Sequence, residues 1–249
     1  MIKKLIKSKT KSTIGAAIVV GLASLVSRFI GLVRDKIFAH QFGASNILDA
    51  YYAAFRVPDL VYNLLVVGAL SAGFIPVFKQ ILEEKNKQEA WKVTNGILNI
   101  IGISLVVVCS LLFIFTPQLM QLVVPGFSGE KLDLTITMTR VMFLSPVLLG
   151  LSSIASGVLQ ACNSFIVYSL TPIVYNIGII AGALFFVPIM GEIGLAWGVI
   201  LGACFHLLIQ IPTLLHLGFN YQPILPWNNK YIKKIGRMMV PRTLGLAAN

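Results

Sequence analysis

The sequence predicts an all-α, polytopic membrane protein built as a bundle of about six transmembrane helices. Hydrophobic residues make up 57% of its 249 residues and charged residues 12%, about half the charged share of an average soluble domain. Apolar stretches recur along the chain, each close to the ~20 residues that a spanning helix needs. Lysine and arginine are concentrated in alternate connections between these stretches, as in proteins that cross a membrane repeatedly.

Six stretches are long and apolar enough to span a bilayer. Their approximate bounds, in chain order, are 13–33, 50–78, 93–115, 136–160, 165–187 and 193–215. The first is longer than the apolar core of a signal peptide, so we expect it to remain as a helix. A further stretch begins near Met238, shortly before Asn249, and we therefore expect a fragment or a half-length gene product.

Positive charges mark one side of the predicted spans. Basic residues crowd the segments before span one, after span two and after span six: Lys3, Lys4, Lys7, Lys9, Lys11, Lys79, Lys85, Lys87, Lys92, Lys230, Lys233, Lys234 and Arg237. The segment after span three holds only Lys131, and the segment after span five has no basic residue. Because basic residues stay on the cytoplasmic side, we expect a multi-pass protein of the cytoplasmic (inner) membrane with its N-terminus inside.

The net charge of +11 favours anionic lipid headgroups as partners. No basic patch is interleaved with aromatic residues, so we expect the lipid bilayer and no nucleic acid as a partner. We divide the chain into a basic cytoplasmic tail (1–12), a six-helix lobe (13–216), and a cytoplasmic connection that leads into a truncated second lobe (217–249).

Proline and glycine interrupt the predicted spans. Pro58, Pro146 and Pro172 lie inside predicted helices, where neighbours or a wet cavity must satisfy the backbone groups that they free. Kinked helices therefore indicate either a cavity or simple bundle packing, and the sequence leaves both open. Small residues at four-residue spacing in spans five and six allow close helix packing: Gly178, Gly182, Gly194, Gly198 and Gly202.

Span one carries charges inside the predicted bilayer, where a charged side chain is costly and usually faces a bundle interior or a cavity. Ser24, Arg28 and Asp35 share one helix face, while Arg34 lies on another face, above Ser27. We expect Arg28 about five residues, or roughly 8 Å, from the outer end of the span.

Span two carries a longer polar face. Its members recur at spacings of three or four residues: Asp49, Tyr52, Arg56, Asp59 and Asn63. We expect Asp59 to pair with Arg56, which would lower the cost of both charges in the bilayer. The alternatives are a snorkelling arginine or a salt bridge between helices. Polar faces on two adjacent helices are what a hydrophilic transport cavity needs.

An anion is the favoured occupant of such a cavity. Arginine offers phosphate or pyrophosphate a planar fork of donors and stays charged at any relevant pH. The carboxylates of Asp35, Asp49 and Asp59 would hold the arginines in place or bind sugar hydroxyls. Arg140, near the outer end of span four, is interpreted as an interfacial anchor.

The remaining candidates carry little chemistry. His40, His206 and His216 have no partners at metal-ligand spacing and are interpreted as incidental. No phosphate loop, Ser/His/Asp order or paired-carboxylate site stands out, so we expect neither a cofactor nor an enzyme.

The stretch 27–60, SRFIGLVRDKIFAHQFGASNILDAYYAAFRVPDL, closely resembles the start of MurJ (MviN) proteins. These are lipid II flippases of the MATE-like (MOP) exporter superfamily. The resemblance continues in GALSAGFIPVF at 68–78, VPGF at 124–127 and TPIVYNIGII at 171–180, and thus covers nearly the whole chain.

This resemblance implies two six-helix lobes, often with two extra helices, around a central cationic cavity. It implies transport of lipid II, or a similar undecaprenyl-pyrophosphate-linked glycan, to the outer leaflet by alternating access. The present chain would supply the N-terminal lobe, and a C-terminal lobe would complete the protein. Arg28, Arg34, Asp35 and Asp49 match residues that the family uses in the cavity, and Arg56 matches a basic position.

The chain departs from the family pattern late in span two. Tyr62, Asn63 and Val67 stand where many members have two basic residues and then an acidic one. The alternatives to a lipid II flippase are an exporter of another lipid-linked oligosaccharide, a MATE-like exporter of drug-like cations, and a non-transporting scaffold. Carboxylates would dominate the cavity of a cation exporter, which the intramembrane arginines argue against.

Overall fold

In the computed structural model, which describes residues 13–67 and 73–247, every regular element is helical. The predicted tail 1–12 lies outside the described residues. The helices, in chain order, are α1 Thr13–Phe42, α2 Asn46–Ala54, α3 Arg56–Tyr62, α4 Ile75–Glu84, α5 Lys87–Ile114, α6 Thr116–Val123, α7 Gly129–Met142, α8 Leu144–Ala161, α9 Phe165–Ala181, α10 Val187–Met190, α11 Gly194–Leu208, α12 Ile211–His216 and α13 Lys230–Ala247. Two π-helical turns, Asn63–Val67 and Gly182–Phe186, follow α3 and α9.

The structure confirms the all-α membrane fold. Among the described residues, four helical stretches are long and apolar enough to cross a bilayer: Ile14–Phe42, Lys87–Ile114, Gly129–Ala161 and Phe165–His216. The last has 52 residues and reverses direction near Gly191, so it contains predicted spans five and six. Predicted span two includes residues 68–72, which lie outside the described part of the chain. Five of the six predicted spans are therefore contained in these four stretches.

The reversal is held by glycines of α9, the second π-helical turn and α11. Gly178 meets Gly202, and Gly182 meets Gly198, so the two segments run antiparallel in contact. A Cβ atom at Gly198 would lie 2.7 Å from the Cα of Gly182 and 3.1 Å from the carbonyl oxygen of Ile179. The predicted close packing of spans five and six is therefore correct, because any larger side chain would separate the backbones.

The first two predicted spans need correction. Helix α1 continues to Phe42, so Arg28 lies about 21 Å and Arg34 about 12 Å along the helix from its end. Both arginines are therefore deeper in the helix than predicted. Span two is not one continuous helix, because α2 ends before Phe55 and a π-helical turn begins at Asn63. The break at Phe55 lies three residues before Pro58, whose ring nitrogen cannot donate to the carbonyl of Ala54.

At three of the other prolines, a neighbouring hydroxyl group replaces the backbone hydrogen bond that the proline cannot make. The residue before each proline donates to the carbonyl that the proline leaves without an N–H partner. The bonds run from Thr116 to Phe113 (2.8 Å) before Pro117, from Ser145 to Met142 (2.8 Å) before Pro146, and from Thr171 to Tyr168 (2.8 Å) before Pro172. The carbonyl groups that Pro146 and Pro172 leave without an N–H partner are therefore satisfied within their own helices.

The lobe has two buried clusters. One lies between α4, α5 and α8, and the other lies where α1, α2, α7 and α11 meet. Helix α1 packs mainly against α9 and leaves most of its apolar side chains exposed. The helices that carry the two polar faces are neighbours, because α1 contacts α2 as well as α9.

The lysine-rich segments meet at one end of the lobe. Lys234 Nζ donates to Gln80 Oε1 (2.7 Å), and Asn229 Nδ2 donates to Glu89 Oε1 (2.8 Å). An extended segment, residues 217–229, runs along α5 and is bound there by the buried side chain of Asn95, which contacts backbone atoms of Asn220 and Gln222 at 2.9 and 3.1 Å. Segments that the charge pattern assigns to one side of the membrane therefore lie together.

Candidate functional site

Arg34 is anchored between two helices. Its Nε and Nη2 atoms donate to Oδ1 of Asp35 (3.0 and 2.9 Å), and its Nη1 atom donates to Oδ1 of Asn176 in α9 (2.9 Å). The amide group of Asn176 donates to the carbonyl of Pro172 (3.0 Å) and makes a long contact to the hydroxyl of Ser27 (3.4 Å). The prediction that Ser27 and Arg34 share a face is confirmed, because both contact Asn176.

Arg28 differs from Arg34 in having no acceptor. Its side chain is exposed, and it makes no hydrogen bond or salt bridge with any described residue. Ser24 and Asp35, on the same face, are exposed as well. The guanidinium group of Arg28 therefore keeps all of its N–H donors available beside the lobe, at mid-length in an apolar helix.

The polar face of span two is continuous across the helix break at Phe55. All five of its members are exposed: Asp49, Tyr52, Arg56, Asp59 and Asn63. The buried residues of α2 and α3 lie on the other faces: Ala50, Tyr51, Ala53, Ala54, Val57, Pro58 and Val61. The predicted amphipathic pattern is therefore correct, although the segment is two short helices and a π-helical turn.

The ion pair predicted between Arg56 and Asp59 is wrong. Arg56 Nη1 donates instead to the carbonyl oxygen of Val123 (3.2 Å), the last residue of α6. The last carbonyls of a helix lack intrahelical donors and carry partial negative charge, so they compete well for a cation. Asp59 has no charged partner among the described residues, and the four other N–H donors of Arg56 remain available.

Asp49 is also paired differently from the prediction. Its Oδ2 atom accepts from Lys131 Nζ of α7 at 2.5 Å rather than from an arginine. Lys131 in turn lies over the ring of Phe127, 4.1 Å from its centroid. This contact ties α2 to α7 at the end of the lobe opposite the lysine-rich segments, so Asp49 holds the start of span two in place.

The two polar faces border one space. Tyr52 of α2 is close enough to interact electrostatically with Asp35 of α1, and Tyr175 of α9 does so with both Arg34 and Asp59. Arg34, Asp35 and Asp59 therefore lie near one another, around Tyr52 of α2 and Tyr175 of α9. This side of the lobe is open, and its charged groups are accessible.

A neutral polar pocket of about 360 Å³ lies next to this region, toward the lysine-rich end of the lobe. Tyr62, Ser153, Gln160, Tyr168, Thr171 and His206 are among its lining residues. The hydroxyl groups of Tyr62 and Ser153 are hydrogen-bonded to each other at 2.7 Å. Pro172 also lines the pocket, one helical turn from Asn176, so the pocket begins about 6 Å along α9 from the Arg34 anchor.

Residues 38–249 match the family model for lipid II flippase MurJ. The chain belongs to the MurJ family. A probable lipid II flippase MurJ from Buchnera aphidicola subsp. Acyrthosiphon pisum is 35% identical over 234 residues, covering 92% of this chain and 46% of the relative. The chain thus spans about half the length of the curated relatives that it matches.

Solved structures agree with this assignment. A lipid II flippase MurJ in an inward closed conformation is 25% identical, with a TM-score of 0.73 over 90% of this chain and 47% of that one. A MOP superfamily transporter from Pyrococcus furiosus, 17% identical, gives a TM-score of 0.70 over 97% of this chain and 54% of that one, which shows the shared fold. The predicted resemblance to MurJ and to MATE-like transporters is confirmed, and the relatives are named as flippases rather than enzymes.

A buried hydrogen-bond network in this MurJ-family lobe was not predicted from the sequence. His206, interpreted as incidental, shares a 2.6 Å hydrogen bond between its Nδ1 atom and the hydroxyl of Ser152. Gln210, fully buried, donates to the same hydroxyl (2.6 Å) and accepts from Ser156 (2.9 Å). A buried Gln one helical turn after a His in an apolar span was the available signal, since such groups need partners. Asn176, a polar residue within the apolar span of α9, was missed as well, although it gave the same kind of signal.

Proposed function

We propose that this chain is the N-terminal lobe of a lipid II flippase. The protein would move the lipid-linked peptidoglycan precursor from the inner to the outer leaflet of the cytoplasmic membrane by alternating access. The observation that carries this proposal is the exposed guanidinium group of Arg28, which has no acceptor in the described residues and lies midway along a spanning helix. A charge in that position is costly unless a ligand or water meets it.

The pyrophosphate would bind to the arginines. Arg28 supplies an unoccupied planar fork, Arg34 is fixed by Asp35 and Asn176 beside it, and Arg56 keeps N–H donors beyond its bond to Val123. Asp35 and Asn176 would orient Arg34 rather than touch the substrate. Because Arg34 is already held in place, less side-chain entropy is lost when an anion binds.

The uncharged part of the headgroup would occupy the other surfaces. Asp59 and Asn63 are exposed and lack charged partners among the described residues, so they can accept hydrogen bonds from sugar hydroxyls. The pocket around Tyr62 offers hydroxyl and amide groups without a formal charge, as well as the ring of Tyr168. Such a lining suits a glycan or peptide amide next to a pyrophosphate.

The relatives have about twice the length of this chain, and a C-terminal lobe would close the open side. Rocking of the two lobes would carry the headgroup across while the lipid tail stays in the bilayer. The basic tail, the Lys85 loop and the segment 217–249 would face the cytoplasm, in keeping with the lysine-rich end of the lobe.

A second candidate is the export of another lipid-linked oligosaccharide. It is favoured by Tyr62 and Asn63, which stand where many family members have basic residues. Tyr62 is hydrogen-bonded to Ser153 and lines a neutral pocket, so this part of the site selects on glycan structure rather than on charge. Both candidates share the pyrophosphate step at Arg28.

Ligand binding tests the proposal. The purified protein in nanodiscs is titrated with undecaprenyl pyrophosphate and with undecaprenol, which lacks the pyrophosphate. We expect saturable binding of the pyrophosphate lipid alone, weakened about tenfold or more in Arg28→Gln, because one charged hydrogen-bonding group is lost.

Ser24→Ala, one turn from Arg28 on the same exposed face, is the matched control and should bind normally. Equal affinity for the two lipids, or full affinity in Arg28→Gln, would refute the anion site. In cells depleted of their own flippase, the chain supplied with a C-terminal lobe should restore growth, and its Arg28→Ala variant should fail.

A further inference from the structure

A second, larger groove lies on another surface of the lobe. It has a volume of about 700 Å³ and is lined by side chains from α5, α7, α8 and α11, including Val106, Phe113, Arg140, Leu144, Val147 and Trp197. Val106, Phe113, Leu144 and Trp197 are each between 39% and 49% exposed, so the groove opens along its length. Its lining is nearly all apolar, and Arg140 is the one cationic residue among the described residues that line it.

This groove is separate from the candidate transport site. On α8, Leu144 lines the groove and Ser153 lines the neutral pocket, and these positions are nine residues apart. Nine residues are two and a half helical turns, which puts the two side chains on opposite faces of α8. The groove therefore faces away from the neutral pocket around Tyr62 and Ser153 and toward the outside of the lobe.

Arg140 has no protein acceptor in this groove. Its Nε atom is fully buried and has no hydrogen-bond partner in the described part of the chain. The guanidinium carbon lies 5.3 Å from the centroid of the Phe113 ring, so the cation is held against an aromatic face. A snorkelling arginine would instead extend freely into water. The guanidinium group of Arg140 is thus held in an apolar groove, and its N–H donors have no acceptor among the described residues.

The depth of Arg140 matches that of lipid headgroups. It follows the predicted start of span four at Ile136 by one helical turn, or about 6 Å. Lys131, in the same helix as Arg140, is paired with Asp49 of α2. This pair lies at the end of the lobe opposite the lysine-rich segments. The hydroxyl group of Ser110 also lines the groove and can donate to a phosphate, whereas that of Thr137 already donates to the carbonyl oxygen of Asp133 (2.8 Å).

We propose that this groove is a binding site for an anionic phospholipid. The phosphodiester group accepts hydrogen bonds from the guanidinium group of Arg140, and one acyl chain lies along Val106, Leu144 and Val147. Among the residues that the structure describes, no acidic one lines the groove, so a zwitterionic lipid would bring its ammonium group next to an uncompensated arginine. The site therefore selects phosphatidylglycerol over phosphatidylcholine.

Native mass spectrometry of the purified protein tests this site. The protein is titrated with phosphatidylglycerol or phosphatidylcholine, and the occupancy of the tightest lipid adduct is measured. We expect about tenfold tighter binding of phosphatidylglycerol, and we expect Arg140→Gln to abolish that preference. Val106→Trp keeps the charge but fills the groove at a half-exposed position, and it should lower the affinity for both lipids.

Arg237→Gln is the matched control, since it removes an exposed arginine at the lysine-rich end of the lobe. It should keep the preference for phosphatidylglycerol. No preference in the unmodified protein, or a preference retained in Arg140→Gln, overturns the proposal. Equal losses in Arg140→Gln and Arg237→Gln also overturn it, because they would indicate general charge attraction. Unchanged binding in Val106→Trp excludes the groove as the acyl-chain site.

Discussion

Arg34 and Asn176 are 142 residues apart in the chain and are joined by a 2.9 Å hydrogen bond between Nη1 and Oδ1. This bond connects α1 to α9. It also sets the position of one arginine beside the open face of the lobe, while Arg28 on the neighbouring face stays unbound. The same interaction thus serves helix packing and the geometry of the candidate site.

Asn176→Leu should destabilise the protein. The substitution removes the acceptor of Arg34 Nη1 and leaves that donor poorly satisfied between two helices. We expect a loss of about 1–3 kcal/mol of unfolding free energy, measured by thermal or denaturant unfolding in detergent.

The matched control for Asn176→Leu is Gln41→Leu, an amide-to-leucine change at an exposed position near the end of α1. It should stay within about 0.5 kcal/mol of the unmodified protein. If Asn176→Leu were as stable as this control, the bond would not hold α1 against α9.

A glycine pair provides a second test of packing. Gly198→Ala adds a Cβ atom that would lie 2.7 Å from the Cα of Gly182, so the two helices must separate. We expect a loss of about 1–3 kcal/mol of unfolding free energy, as for other overpacked cores. Gly21→Ala in α1 has no atom within 4 Å of the added Cβ and should gain up to about 1 kcal/mol from helix propensity. A similar change in both variants would contradict the close contact.

Much of this lobe could be predicted from the sequence, because hydropathy locates the spanning segments, the distribution of lysine and arginine indicates their orientation, and residue spacing shows which side chains share a helix face. The polar face from Asp49 to Asn63 and the glycine contacts at Gly178 and Gly182 were predictable, since side chains three or four residues apart share a helix face. The Ser/Thr–Pro pairs at 116–117, 145–146 and 171–172 were also visible in the sequence. Each places a hydroxyl where the proline frees a carbonyl.

Partners that are distant in sequence were not predictable. Spacing alone paired Arg56 with Asp59, but the end of α6 supplies a carbonyl to Arg56 from 67 residues away. Asp49 likewise pairs with Lys131, 82 residues later. These contacts depend on how helix ends meet in three dimensions, and helical periodicity carries no information about that.

Tyr62→Phe should separate recognition of the glycan from recognition of the pyrophosphate. The substitution removes the hydroxyl that is bonded to Ser153 in the neutral pocket. We expect binding of lipid II to weaken several-fold, as one hydrogen-bonding group is lost, while binding of undecaprenyl pyrophosphate stays unchanged. Both affinities are measured on the purified protein in nanodiscs. Equal weakening for both ligands would show a general structural defect, and no weakening for lipid II would remove this pocket from the site.

The orientation of the lobe in the membrane is open to a direct labelling test. The native cysteines Cys109, Cys162 and Cys204 are first replaced by alanine, and a single cysteine is then introduced at Lys85 or at Glu130. Lys85 belongs to the lysine-rich end, and Glu130 lies in the first turn of α7, beside the Lys131–Asp49 pair at the other end. Because basic residues are retained in the cytoplasm, a membrane-impermeant maleimide should label intact cells at position 130 and reach position 85 only after lysis. The opposite pattern would invert the proposed topology, and labelling of both positions in intact cells would contradict a single orientation.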